Sequence, residues 1–91
     1  MPIKLTLKGR VQGVFCRNYC SEYARQLNIH GSASNQSDGT VHVILNTDDS
    51  ELIRRYIFCL LNNPMDFQFY GKIVTVDQQD HSEQTSGDYV F

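Results

Sequence analysis

Residues 3–27, IKLTLKGRVQGVFCRNYCSEYARQL, change hydrophobic period partway along, and that change decides the fold. Ile3, Leu5 and Leu7 alternate with Lys4, Thr6 and Lys8, the period of a strand with one buried face. From Cys16 onward the apolar positions are Cys16, Tyr19, Cys20, Tyr23, Ala24 and Leu27, the spacing of an amphipathic helix. A strand therefore hands over to a helix through residues 9–15. That connection contains Gly9 and Gly13, which allow backbone angles other residues avoid.

Downstream, Asn28 and Gly31 punctuate the helix end, and HGSASN (30–35) reads as a weak strand of small residues. SDGT (37–40) supplies an Asp-Gly turn into TVHVIL (40–45), the partner strand of a hairpin. Asp48 with Glu51 three residues on predicts a capped second helix with a buried stripe of Leu52, Ile53, Tyr56, Ile57, Leu60 and Leu61. Asn62, Asn63 and Pro64 stop it. DFQFYGKIVTVD (66–77) is rich in aromatic and β-branched residues and predicts a fourth strand, bent or bulged at Gly71. QQDHSEQTSG (78–87) reads as a loop and DYVF (88–91) as a short terminal strand.

The order β, α, β, β, α, β plus a short strand is the split β-α-β arrangement of the α+β class. Two helices cover one face of a mostly antiparallel sheet. The 91 residues make one domain, 1–91, because chains of ~100 to 200 residues commonly share a single core.

Hydrophobic residues at 41% and charged residues at 20% exclude disorder and predict a folded globular domain. The net charge is −2 and the eight basic residues are scattered, so the basic stripe of a nucleic-acid surface is missing. The aromatic group Phe67, Phe69 and Tyr70 lacks basic companions, which favours core packing over base stacking. Neither a signal peptide nor a membrane-length apolar run is evident, and a cytoplasmic protein without membrane partner is the expectation. Cys16, Cys20 and Cys59 read as reduced, buried thiols. The first two lie a helical turn apart but lack a second pair of metal ligands. His30, His42 and His81 are isolated from any nucleophile motif.

Within GRVQGVFCRN (9–18) the glycines let backbone N–H groups curl into an anion nest. The helix that follows adds its N-terminal N–H groups and the positive end of its dipole, and Arg17 adds a planar fork suited to phosphate oxygens. The same features also describe a tight connection carrying a surface arginine, and Arg10 suits either an anion site or a surface ion pair. Neither the P-loop nor the GxGxxG pattern is present.

GRVQGVFCRNYC resembles the signature of the acylphosphatase family, GRVQGV followed by a variable residue, usually phenylalanine, and arginine. GSASNQSDGTV is similar to its second motif, here Gly31, Asn35, Gly39 and Val41. The separation of Arg17 and Asn35 by 18 positions fits the same pattern. The resemblance implies a ferredoxin-like fold and hydrolysis of acyl phosphates, the mixed anhydrides of carboxylic and phosphoric acids, without metal, cofactor or covalent enzyme intermediate. It implies that the amides of Val11, Gln12, Gly13, Val14, Phe15 and Cys16, with the Arg17 guanidinium, hold the phosphoryl group of a small-molecule acyl phosphate or of inorganic phosphate. It further implies that Asn35 positions the attacking water.

Two departures stand out. Cys16 occupies the usual phenylalanine position, and Phe15, one place earlier, points about 100° away on a helix and need not replace the ring. A thiol in a phenylalanine-sized space costs about 1 to 4 kcal/mol unless neighbours repack. Ser32, Ala33 and Ser34 stand where an aromatic, a valine and a basic residue are common, removing packing and a cation. They keep open the alternative of a catalytically weak or inactive anion-binding regulatory module.

Overall fold

The computed structural model describes residues 3–80 and 89–91, apart from the Tyr89 side chain. Its elements are β1 (Ile3–Arg10), α1 (Cys16–Gln26), β2 (Gly31–Asn35), β3 (Val41–Leu45), α2 (Ser50–Asn62), β4 (Lys72–Asp80) and β5 (Tyr89–Val90). The strands form one sheet in the order β4-β1-β3-β2-β5, every neighbouring pair antiparallel. This is the expected split β-α-β arrangement with β5 added at an edge.

The alternation in β1 sends Ile3, Leu5 and Leu7 into the core, where they meet Val41, Val43 and Leu45 of β3. Helix α1 buries Cys16, Tyr19, Cys20, Tyr23 and Ala24 against this face, and α2 adds Ile53, Tyr56 and Leu60. Three tyrosine hydroxyls cross between the helical regions. Tyr19 Oη donates to the Leu60 carbonyl at 2.8 Å, Tyr56 Oη to the Cys20 carbonyl at 2.9 Å and Tyr23 Oη to Asn63 Oδ1 at 2.7 Å. Burial pushes all three hydroxyls above their ordinary pKa, so they remain protonated donors.

Several local expectations are corrected. Asp49, not Asp48, caps α2: its Oδ1 accepts from the Glu51 and Leu52 amides at 3.1 and 3.2 Å. Leu61 is 49% exposed, because it lies about 100° round the helix from buried Leu60 and leaves the stripe. The fourth strand begins at Lys72, so Phe67, Phe69 and Tyr70 belong to the connector before it. Phe67 packs edge-on against Tyr23 at 4.8 Å and Phe69 stacks on Tyr19 at 4.3 Å, which explains their apolar character without a strand.

Strand β4 also continues through Gln78, Gln79 and Asp80, which pair with Leu5, Lys4 and Ile3. The rest of the expected loop, from His81, lies outside the described residues. The irregularity expected at Gly71 falls instead where Lys8 pairs with Thr75 and Gly9 with Ile73, leaving Val74 as the extra residue.

The cap assignment has a direct test. Asp49→Ala should lower the unfolding free energy by about 1 kcal/mol in urea denaturation, and by more than Asp48→Ala does.

Candidate functional site

The connection from β1 to α1 turns through two left-handed residues, Gly13 (φ 71°) and Phe15 (φ 64°, ψ 24°), with Val14 between them. Alternation of hand along successive residues points backbone N–H groups to a common side, the geometry of an anion nest. Phe15 is the N-cap of α1 and makes no side-chain capping hydrogen bond; the first turn also carries no acidic residue. At α2, by contrast, the Asp49 carboxylate occupies that end. The positive end of α1 is left to face a cavity.

That cavity, about 320 Å³, is lined by Val11, Gly13, Phe15, Cys16, Arg17, Asn18 and Asn35. Among the described residues that line it, Arg17 carries the charge. Asn35 arrives from a different element, as the last residue of β2 paired with Val41. Of the residues expected at the site, Val11, Gly13, Phe15, Cys16, Arg17 and Asn35 meet here. Gln12 and Val14 are not among the lining residues. Asn18 was not anticipated, and its place one residue after Arg17 in the first helical turn was the available signal. Arg10, His30 and His42 are outside the lining; His81 is outside the described residues.

The two absentees organise the loop. Gln12 Nε2 donates to the Gln36 carbonyl at 2.7 Å and to the Thr40 carbonyl at 2.9 Å, bridging the loop to the β2–β3 turn next to Asn35. Within that turn the Gln36 amide donates to the Thr40 carbonyl at 2.9 Å, and Thr40 donates its amide and hydroxyl to Asp38 Oδ1 at 3.0 and 2.6 Å. Those bonds from Thr40 lower the Asp38 pKa, so its support is present above the ordinary carboxylate range and fades as pH falls through the lowered value.

Val14 buries its side chain, and its carbonyl accepts from the Tyr70 amide at 3.1 Å. Gly71 permits this approach: a Cβ there would come within 1.9 Å of the Arg10 carbonyl oxygen.

Cys16 is buried, its Sγ 3.9 Å from Cys20 Sγ, while Phe15 is 57% exposed and leaves the core position to the thiol. The contact with Cys16, followed by burial, raises the Cys20 pKa well above its ordinary value, and burial raises that of Cys59. Both remain thiols and are poor nucleophiles. The small residues of β2 fit an interior strand: Ser32 pairs with Ile44 and Val90, and Ala33 with Val43 and Tyr89. Gln12 and Asp38 supply hydrogen bonds to the hairpin, in which small residues stand where an aromatic is common.

The acylphosphatase family model matches residues 3–89. The chain belongs to the acylphosphatase family. It is 38% identical to an acylphosphatase of Deinococcus radiodurans, over 93% of this chain and 91% of that protein. It is 40% identical to one from Corynebacterium glutamicum, over 85% of this chain and 83% of the relative. The fold is similar to the crystal structure of acylphosphatase from Bacillus subtilis, with a TM-score of 0.73 at 17% identity, covering 97% and 92% of the two chains. It is also similar to an acylphosphatase structure from Coxiella burnetii, with a TM-score of 0.71 at 22% identity over 96% and 86%.

In this acylphosphatase-family chain the Gln12 bridge is the part most open to a direct stability test. Gln12→Ala should lower the unfolding free energy by about 1 to 2 kcal/mol in urea and accelerate amide hydrogen exchange at Gln36.

Proposed function

We propose that the chain hydrolyses acyl phosphates to carboxylate and inorganic phosphate, with Arg17 and Asn35 as its catalytic residues. The observation carrying this reading is that Arg17 and Asn35, from α1 and β2, line one cavity at a helix N-terminus without a side-chain cap. Such a place attracts a phosphoryl group through amides, dipole and guanidinium together.

The chemistry asks little more. Water attacks phosphorus in line as the carboxylate leaves with the electrons of the broken P–O bond, and one water proton is released to solvent. Because a carboxylate is a good leaving group, positioning and charge neutralisation supply most of the catalysis, and a strong base is dispensable. The Arg17 guanidinium and the loop amides at Val11, Gly13, Phe15 and Cys16 hold the phosphoryl oxygens. Gln12 and Val14 keep the loop in shape. The Asn35 carboxamide accepts from water through its oxygen and orients it.

Among the described residues no group of three or more His, Cys, Asp or Glu could hold a metal ion, and no helix is long and apolar enough to cross a membrane. Three free thiols suit the reducing cytoplasm, the compartment we assign.

Hydrolysis of acetyl phosphate and benzoyl phosphate, measured with EDTA present, tests the assignment. Arg17→Ala and Asn35→Ala should each lower kcat/KM by about 10²-fold or more, the scale on which loss of one transition-state donor is felt. Turnover by Asn35→Ala equal to the parent would remove the water-positioning role, and loss of parent activity in EDTA would overturn the metal-free mechanism. A parent that binds phosphate without hydrolysing either substrate would make the chain an anion-binding module.

A further inference from the structure

We propose that Phe15 and Tyr70 form an acyl-binding wall beside the phosphate cavity, and that the site prefers acyl phosphates carrying an aromatic acyl group over acetyl phosphate. This rests on the reading of the cavity as an acyl phosphate site and extends it to the part of the substrate that Arg17 and Asn35 do not address.

The molecule hides its other aromatic side chains near this end. Tyr19, Tyr23 and Tyr56 are buried, and Phe67 and Phe69 pack onto Tyr23 and Tyr19. Phe15 and Tyr70 remain 57% and 62% exposed. Their ring centroids lie 5.6 Å apart with planes inclined at 48°, so the two rings make a continuous apolar surface. Phe15 itself lines the cavity, which makes that surface contiguous with the anion site.

Local preferences do not explain Phe15. It occupies a left-handed N-cap, where asparagine or glycine takes the backbone angles with less strain and a short polar side chain can cap the helix. A residue that breaks a local rule beside a binding cavity is where a functional demand is expected. Tyr70 is held by independent contacts. Its amide donates to the Val14 carbonyl at 3.1 Å, the adjacent Gly71 lies against the Arg10 carbonyl, and the Gln68 side-chain amide donates to the Tyr70 hydroxyl. The ring is thereby fixed to the same loop that shapes the nest.

An acyl phosphate has two unlike ends. The phosphoryl end requires amides and a cation, which the cavity provides. The acyl end projects toward the mouth, where a methyl group covers little of two rings and an aromatic group can remove apolar surface from water on both sides of the contact.

The test compares substrate ratios and stable ligands. In the parent, kcat/KM for benzoyl phosphate should exceed that for acetyl phosphate, and the ratio should fall about tenfold in Phe15→Ala and in Tyr70→Ala. Phenylphosphonate should bind about tenfold more tightly than methylphosphonate by calorimetry, with the difference lost in Tyr70→Ala. Thermal unfolding of each variant checks that it is folded, and Phe15→Tyr should restore the parent ratio.

Equal binding of the two phosphonates by the parent, or ratios unchanged in both alanine variants, would overturn the wall while leaving acyl phosphate hydrolysis in place. Phosphonate discrimination that depends on Tyr70 in a protein that turns over neither substrate would support the wall and remove the hydrolytic reading. Failure to bind either phosphonate would overturn the wall.

Discussion

Strand β1 is hydrogen-bonded along both edges, to β3 on one side and β4 on the other, and the position of everything else depends on this double pairing. A strand paired on both sides cannot shift without breaking two ladders, and a slip by one residue would turn Leu5 and Leu7 out of the core. Its C-terminal end is consequently a fixed point. The loop that leaves it inherits that rigidity, and so does the N-terminus of α1.

The site is assembled by ties between segments that are distant in sequence. Gln12 fastens the loop to the turn beside Asn35, while the Tyr70 amide and the close approach of Gly71 fasten it to the connector before β4. The Tyr70 amide satisfies the Val14 carbonyl, and Gln12 adds a second donor to the Gln36 and Thr40 carbonyls, which amides of the turn already bond. A loop held from two sides is organised in advance, and under the proposed function that is the condition in which amides and a guanidinium stabilise charge most effectively. Cys16 and Phe15 divide the work at the helix start: the smaller side chain enters the core and the larger faces outward.

Much of this was legible along the chain. Periods of two and of three to four located β1, α1, β3 and α2 because burial of one face imposes those repeats. The motif around Gly13 and Arg17, with Asn35 at its distance, marked where the cavity lies. Less legible were features decided by competition between neighbours. Asp48 and Asp49 offer the same carboxylate one position apart, and only the path of the chain selects Asp49. Phe67 and Phe69 have the composition of a strand, yet their rings satisfy Tyr23 and Tyr19 from a connector. Leu61 looks like a member of the buried stripe until the orientation of α2 leaves it outside. Asn18 carries no distinguishing sequence mark apart from its nearness to Arg17.

The sequence by itself determined the element order, the core faces and the two residues, Arg17 and Asn35, that belong to the family pattern, because periodicity and motif spacing are properties of the chain. Tertiary structure alone decided that Gln12 acts through its side chain on a hairpin 24 residues away, that Val14 serves the connector and that Phe15 and Tyr70 stand together at the cavity. Those contacts join segments whose separation in sequence carries no information about their distance. They arise once the doubly paired β1 and the packed helices have fixed where each segment must pass.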